Sequence, residues 1–263
     1  MKINGIAKQW RFPESSERQL SRLLDGFAGD IVARMQGNLK PMKWDADEDQ
    51  IAAVERDLLD YAESLLSTIF ITLPSLAFAI YKFNSKQWLK IAKSAGGKDN
   101  HAVLLLILIG ANTSEEWYMS QYNLWESQTK DSMRKLAANI ITDFTGKLRA
   151  AAANGFDEER VFEETNQRYK VYSSWARNRA SGIVTTWNSR MMRQRLKDAA
   201  VTHYFWRGVM DLREREKHVK WEGKRIALNS NHIFPGEEYG CRCWVVPDFS
   251  TRKEVNNESE TEV

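Results

Sequence analysis

Cysteine is scarce: only Cys241 and Cys243 occur in 263 residues, one residue apart. Two thiols cannot build a disulfide framework, so they point to a reducing compartment or to a metal role. The opening residues, MKINGIAKQWRFPESSE, hold no apolar signal core and no small-residue cleavage site, which predicts no secretion signal. No G-x-S-x-G elbow, P-loop or H-E-x-x-H sequence occurs, so the common signatures of hydrolases, nucleotidases and zinc proteases are missing. There is no internal repeat, and no low-complexity segment before residue 250. One uncharged run, residues 64–81, has 18 residues, near the length that spans a bilayer. Its Ser64, Ser67, Thr68, Thr72, Pro74 and Ser75, together with amphipathic flanks, predict a buried core helix and no membrane partner.

What is present is mostly helix. Hydrophobic residues make up 43% of the chain, enough for a substantial core. A first helix is predicted from Ser15 or Ser16, carrying Leu20, Leu23, Leu24, Phe27, Ile31 and Met35 at helical spacing, with Gly37-Asn38 and Pro41 as its stop. A second starts near Asp45, whose carboxylate and that of Glu48 form a capping box, and Pro74 kinks or ends it. The pattern resumes through Phe78, Tyr81, Trp88 and Ile91 to Gly96-Gly97. Residues 102–109 (AVLLLILI) fit a buried helix or a strand equally well. Thr113 and Glu116 cap a long helix that stops at Asn154-Gly155, and Asp157 restarts one that runs to about Ala200. Charge is uneven along this region. Residues 45–63 hold eight acids against Arg56, and residues 160–225 hold sixteen Lys/Arg against seven Asp/Glu, which predicts two surfaces with different partners.

At Thr202 the composition changes. Residues 202–207 favour a strand, 211–221 a short helix stopped by Gly223, 225–228 a strand, Phe234-Pro235-Gly236 a turn, and 241–246 a strand. The expected class is mainly α: a long-helix region (1–200), a small α+β module (201–250) and a disordered polar tail (251–263).

The module concentrates the reactive side chains: both cysteines and three of the four histidines. On a helix Asp211 would be the N-cap and Glu214 its capping-box partner, with Asp211 near Arg215 and Glu214 near His218. On a strand Cys241 and Cys243 share one face, poorly placed for a mutual disulfide. They could converge on a metal such as zinc if His218 or His232 approached, although two buried thiols packing as small hydrophobes would need no metal. A Cys243/His218 nucleophile lacks an orienting third group. The basic set Arg177, Arg179, Arg190, Arg193, Arg195 and Lys197, with Trp175 and Trp187 nearby, could follow the phosphates of double-stranded DNA without sequence preference, or form a solvated helix face.

The order of these parts resembles the Mu F-like head morphogenesis family, the minor head proteins of tailed phages. The family pattern is an aromatic-Trp-Arg strand, an Asp-x-Arg-x-Arg-x-x-His helix, a Gly turn, then Pro-Gly and Cys-Arg-Cys. Here these read Tyr204–Arg207 with Trp206, then Asp211, Arg213, Arg215 and His218, then Gly223, Pro235-Gly236 and Cys241-Arg242-Cys243. The chain departs from the family in its lead-in helix, where Thr185-Thr186-Trp187 replaces an Arg-Thr-Glu triplet. The resemblance covers about 60 residues. It implies a minor capsid protein of the virion, assembled in the host cytoplasm and associated with the portal, other head proteins and the head interior. It further implies a part in head assembly or in DNA packaging and ejection, and no established enzymatic activity. The alternative left by the residues alone is a metal-dependent or Cys/His enzyme acting on nucleic acid or nucleotide.

Overall fold

The computed structural model describes residues 9–40, 47–96, 104, 115–155 and 157–251. Five long helices precede a small three-stranded sheet: α1 (Glu14–Leu39), α2 (Glu48–Phe70), α3 (Leu73–Gly96), α4 (Glu116–Ala153) and α5 (Glu158–Asp198). After them come β1 (His203–Arg207), the single-turn α6 (Glu216–Val219), β2 (Arg225–Ala227) and β3 (Trp244–Pro247). The chain is thus mainly α with a small C-terminal α+β module, as the periodicities predict. The predicted strand-or-helix block 102–109, apart from Leu104, lies outside the described residues, as do Thr113 and the tail from residue 252.

Helix ends follow local chemistry. Asp45 lies outside the described residues; the cap of α2 is Asp47, whose Oδ1 accepts from Gln50 N at 2.9 Å. The run 64–81 is broken at residues 71–72, where the chain bends by 43°, one turn ahead of the amide that Pro74 lacks. No single described helix is long and apolar enough to cross a membrane, although α2 and α3 together pass that test as a bent pair. Gly155, at φ +85°, follows α4, and Asp157 caps α5 through Arg160 N at 3.1 Å.

The chain divides into two compact units. One comprises residues 14–79 and 119–184. Its core is built from the predicted stripes, Leu20, Phe27, Ile31, Leu58, Leu66, Ile140 and Phe144 among them. In this unit half of the acidic segment is answered from within. Glu48 and Glu55 pair with Arg149, Asp57 with Arg34, and Glu63 with Arg134, at 2.5–3.0 Å. Four of the eight acids of residues 45–63 are thus paired within the unit.

The other unit comprises residues 1–13, 80–118 and 185–263, so the module packs with the C-terminal half of α3 and the end of α5. The sheet order is β2-β1-β3, antiparallel throughout, with Tyr204 opposite Ile226 and Pro247, and Trp206 opposite Val245. Alternation along β1 buries Tyr204 and Trp206. They share a core with Trp88 and Ile91 of α3, Met192 and Leu196 of α5, and both cysteines. Gly236 (φ +85°) lets its turn press against α5: a Cβ there would sit 3.0 Å from Ser189 Cβ, and Ser189 Oγ donates to Pro235 O at 2.8 Å.

Candidate functional site

Two predicted elements of the module are shorter than their sequence suggests. Residues 211–214 form turns, and only Glu216–Val219 is helical, with Arg215 as an N-cap that makes no side-chain cap bond. Competing side-chain partners explain the difference. Asp211 binds Arg242 at 2.6 Å and the amide of Arg213 at 3.1 Å; its carboxyl is held below the usual range, foremost by Arg242. Glu214 turns back to accept from Met210 N, at an unusual φ of +58° for Met210, and packs on Gly208, where a Cβ would meet its carboxylate at 2.0 Å. The predicted Asp211–Arg215 and Glu214–His218 helical pairs are therefore replaced. Arg215 donates to Tyr239 O at 2.5 Å, and His218 finds another carboxylate. The strand at the second cysteine begins only at Trp244.

The predicted family-motif residues nonetheless gather. His218 is buried, its ring 5.2 Å from Trp206 in a T-shaped contact and stacked 5.2 Å from Trp221. Gly223, at φ +72°, donates its amide to Trp206 O at 2.8 Å and so closes the turn behind α6. His218 Nδ1 lies 3.6 Å from Cys241 Sγ and 3.4 Å from Cys243 Sγ, and the three ligand atoms lie within 4.8 Å of one another. Arg213 and Arg215 are the exposed arginines of the motif, Arg213 lying 3.9 Å from Asp211. His232 does not join the sulfurs; its Nδ1 faces Ile233 O at 2.7 Å and its ring packs on Trp221.

The residue that sequence reasoning missed is Glu238. Its Oε2 lies 2.7 Å from His218 Nε2, and Lys217 binds its other oxygen. Lys217 foremost, then His218, holds the Glu238 carboxyl below the usual carboxylate range despite partial burial. An ionised Glu238 fixes the tautomer: Nε2–H donates to it, and Nδ1 presents its lone pair to the two sulfurs. Glu238 is legible only as one acid of the loop sequence PGEEYG; its place between the Pro-Gly turn and the Cys-x-Cys was the available hint.

The electrostatics of the sulfurs are asymmetric. Cys241 is lowered, foremost by the Cys243 side chain, with the backbone N–H groups of Cys243 and Gly236 adding to it. Cys243 is pushed up by Cys241, by burial and by Glu214, whose Oε1 accepts from it at 3.3 Å. A cavity of about 20 Å³, lined by Glu214, His218, Cys241 and Cys243 with Arg213, Arg215 and Arg242 at its rim, opens beside them.

Two kinds of chemistry use such a set. Cys241, His218 and Glu238 have the order of a thiol, base and orienting carboxylate, which supplies the third group that the sequence lacked. Against attack on a substrate, Cys241 and Cys243 are only 4% and 5% exposed. The other kind is metal ligation, for which two sulfurs and one imidazole of fixed tautomer are suited donors.

The predicted DNA-contacting set is scattered. Arg195 is 1% exposed and leaves the set: its Nε donates to Asn84 at 2.8 Å, Nη2 to Ser85 at 2.5 Å, and Nη1 pairs with Glu115 at 3.2 Å. Arg193 pairs with Glu237 at 2.9 Å, Arg179 donates to Ser132 at 2.9 Å, and Arg190 is half-buried. Arg177 and Lys197 are exposed, and Lys197 borders an open groove of about 960 Å³ with Arg193 and His203. Trp187 is fully buried and cannot stack on bases; Trp175 is half-buried. No protein-family model, curated protein or solved structure matches the chain.

Proposed function

We propose that the chain is a minor head protein of a tailed phage, associated with the portal and the head interior, which assists head assembly or the packaging and ejection of DNA. The observation that carries this reading is the ordered series Trp206, Asp211, Arg215, His218, Gly223, Pro235-Gly236, Cys241-Arg242-Cys243. Its members resemble the Mu F-like pattern in sequence and also depend on one another physically. Asp211 holds Arg242, Trp206 packs on His218, Gly223 binds Trp206, and His218 meets both sulfurs. A pattern whose distant parts interlock behaves as one unit, which is what a family signature requires.

The role is structural: contacts with portal and other head proteins, and sequence-independent contacts with double-stranded DNA through exposed cations such as Arg177 and Lys197. The closed state of the thiols disfavours the alternative of a Cys/His enzyme acting on nucleic acid or nucleotide. Co-expression with the portal and capsid proteins of a tailed phage whose genome carries this chain tests the reading. The chain should sediment with assembled heads in few copies and be captured by portal; sedimentation apart from both would reject it. Random duplex should be bound weakly, and less as salt rises; binding indifferent to salt would remove the DNA contact.

A further inference from the structure

The structure assigns a zinc site to this module: we propose that His218 Nδ1, Cys241 Sγ and Cys243 Sγ bind one zinc ion, with the Glu214 carboxylate turning in from its bond to Met210 N as fourth ligand. The assignment stands apart from the head-protein reading and survives its failure.

The geometry carries it. At tetrahedral zinc, Zn–S of ~2.3 Å and Zn–N of ~2.0–2.1 Å place sulfur and nitrogen about 3.6 Å apart. The observed separations from His218 Nδ1 are 3.6 Å to Cys241 and 3.4 Å to Cys243. Nδ1 has one lone pair and faces two sulfurs, so it accepts a proton from only one of them. A cation uses all three donors at once. His218 also carries the support that a ligating imidazole needs, a carboxylate on its other nitrogen: Glu238 at 2.7 Å. Glu214 Oε1 stands 3.3 Å from Cys243 Sγ and lines the same cavity. That cavity, about 20 Å³, exceeds the roughly 10–15 Å³ that one water needs, so an ion fits without the loops opening.

Two thiolates, an imidazole and a carboxylate suit zinc over the hard cations, which prefer oxygen alone. In the complex both sulfurs are thiolates, any thiol proton still held leaving to solvent, and the one net negative charge is offset by Arg213, Arg215 and Arg242 beside the cavity. Because His218, Cys241 and Cys243 are buried and Glu214 is half-buried, the site is a closed structural one. It clips residues 208–218 to residues 236–243, two segments that hold only one turn of helix and no strand between them.

The test uses the full chain purified from zinc-replete cells. The expected result is one zinc per chain, removable by chelator. Cobalt(II) added in its place should give the thiolate-to-cobalt charge-transfer absorption of a sulfur-ligated tetrahedral site. His218→Ala and the double change Cys241→Ser, Cys243→Ser should abolish both signals, and Glu238→Gln should weaken zinc binding 10–100-fold by freeing the imidazole. A folded chain without zinc or a cobalt band overturns the proposal, and so does full zinc content in the double variant. If the variants do not fold, the wild-type chain still decides: zinc should protect both thiols from alkylation and chelator should expose them, whereas equal labelling rates reject the site.

Discussion

The unit that holds the α+β module contains, among its described residues, two buried polar centres built on opposite principles. Around Arg195 every charge and dipole meets a protein partner. The guanidinium is held by Asn84, Ser85 and Glu115, and lies over the rings of Tyr81 and Trp117 at 5.4 and 5.5 Å. Tyr81 in turn donates to Glu115, and Asn84 donates to Asn188 at 2.9 Å. Around His218 the protein supplies a wall, a carboxylate and a fixed tautomer, then leaves three electron-pair donors aimed at one point. A closed network adds rigidity to a core; a network with converging donors is prepared for something from outside. The same unit therefore holds a structural polar centre and a receptive one.

The two centres should fail differently. Arg195→Ala strands Glu115, Asn84 and Ser85 without their cation and is expected to cost about 3–5 kcal/mol, as breaking a buried pair from one side does. Urea denaturation of the chain measures it, and Arg195→Met should cost less because it restores the packing volume. A loss below about 1 kcal/mol for the alanine change would mean that the network is not a unit. The His218 centre should respond instead to the medium. Zinc at 100 times its Kd should stabilise the chain by about 2.7 kcal/mol, and chelator should remove that gain. In the Arg195→Ala variant, urea titrations with and without zinc should differ by the same amount, since the two centres share no partner.

Most of the helical region is legible in the sequence because its signals are local. Stripes at three- and four-residue spacing and carboxylates such as Asp157 decide helices one turn at a time. The buried place of Arg195 was also legible, since it stands four residues after Met191 and three after Met192, both buried on α5. Counting it among the basic residues hid that spacing. The candidate site was legible in part. His218, Cys241 and Cys243 follow from residue chemistry, and they meet. Their geometry did not follow, because it depends on partners distant in sequence. Arg242 draws Asp211 out of a helix cap, Met210 N claims Glu214, and Glu238 reaches His218 from 20 residues away. Local propensity cannot choose among such partners.

Smaller perturbations probe how the receptive centre is held in place. Gly236→Ala forces a side chain into the left-handed region and against Ser189 Cβ at 3.0 Å, displacing the turn whose amide faces Cys241 Sγ at 3.4 Å. A loss of about 2 kcal/mol is expected, from strain and overpacking together, along with weaker zinc binding. Unchanged affinity would separate the turn from the site. Ala200 leaves α5 at φ +52°, where glycine belongs. Ala200→Gly should stabilise the chain by about 1 kcal/mol in thermal unfolding and leave metal binding unaffected.

The smallest expected effect concerns a closed polar centre near the surface, Asp248. Burial pushes its carboxyl up, but Ser250 and Arg225 outweigh that and hold it below the ordinary value. Its oxygens accept from Ser250 Oγ at 2.5 Å and Arg225 Nε at 2.8 Å, while its amide donates to His203 O at 3.0 Å, so it ties β1 and β2 to the end of β3. A depressed folded-state pKa gives stability that is present above the unfolded value near 3.9 and lost as pH falls through the folded one. Arg225 is nearly half exposed, so the ion pair itself contributes under about 1 kcal/mol. Asp248→Asn should therefore reduce stability slightly at neutral pH and flatten its decline below pH ~4, as read by urea midpoints across that range. An equally steep decline in the variant would assign the acid sensitivity to other carboxylates. In that case the contrast between self-satisfied and receptive centres would rest on Arg195 alone.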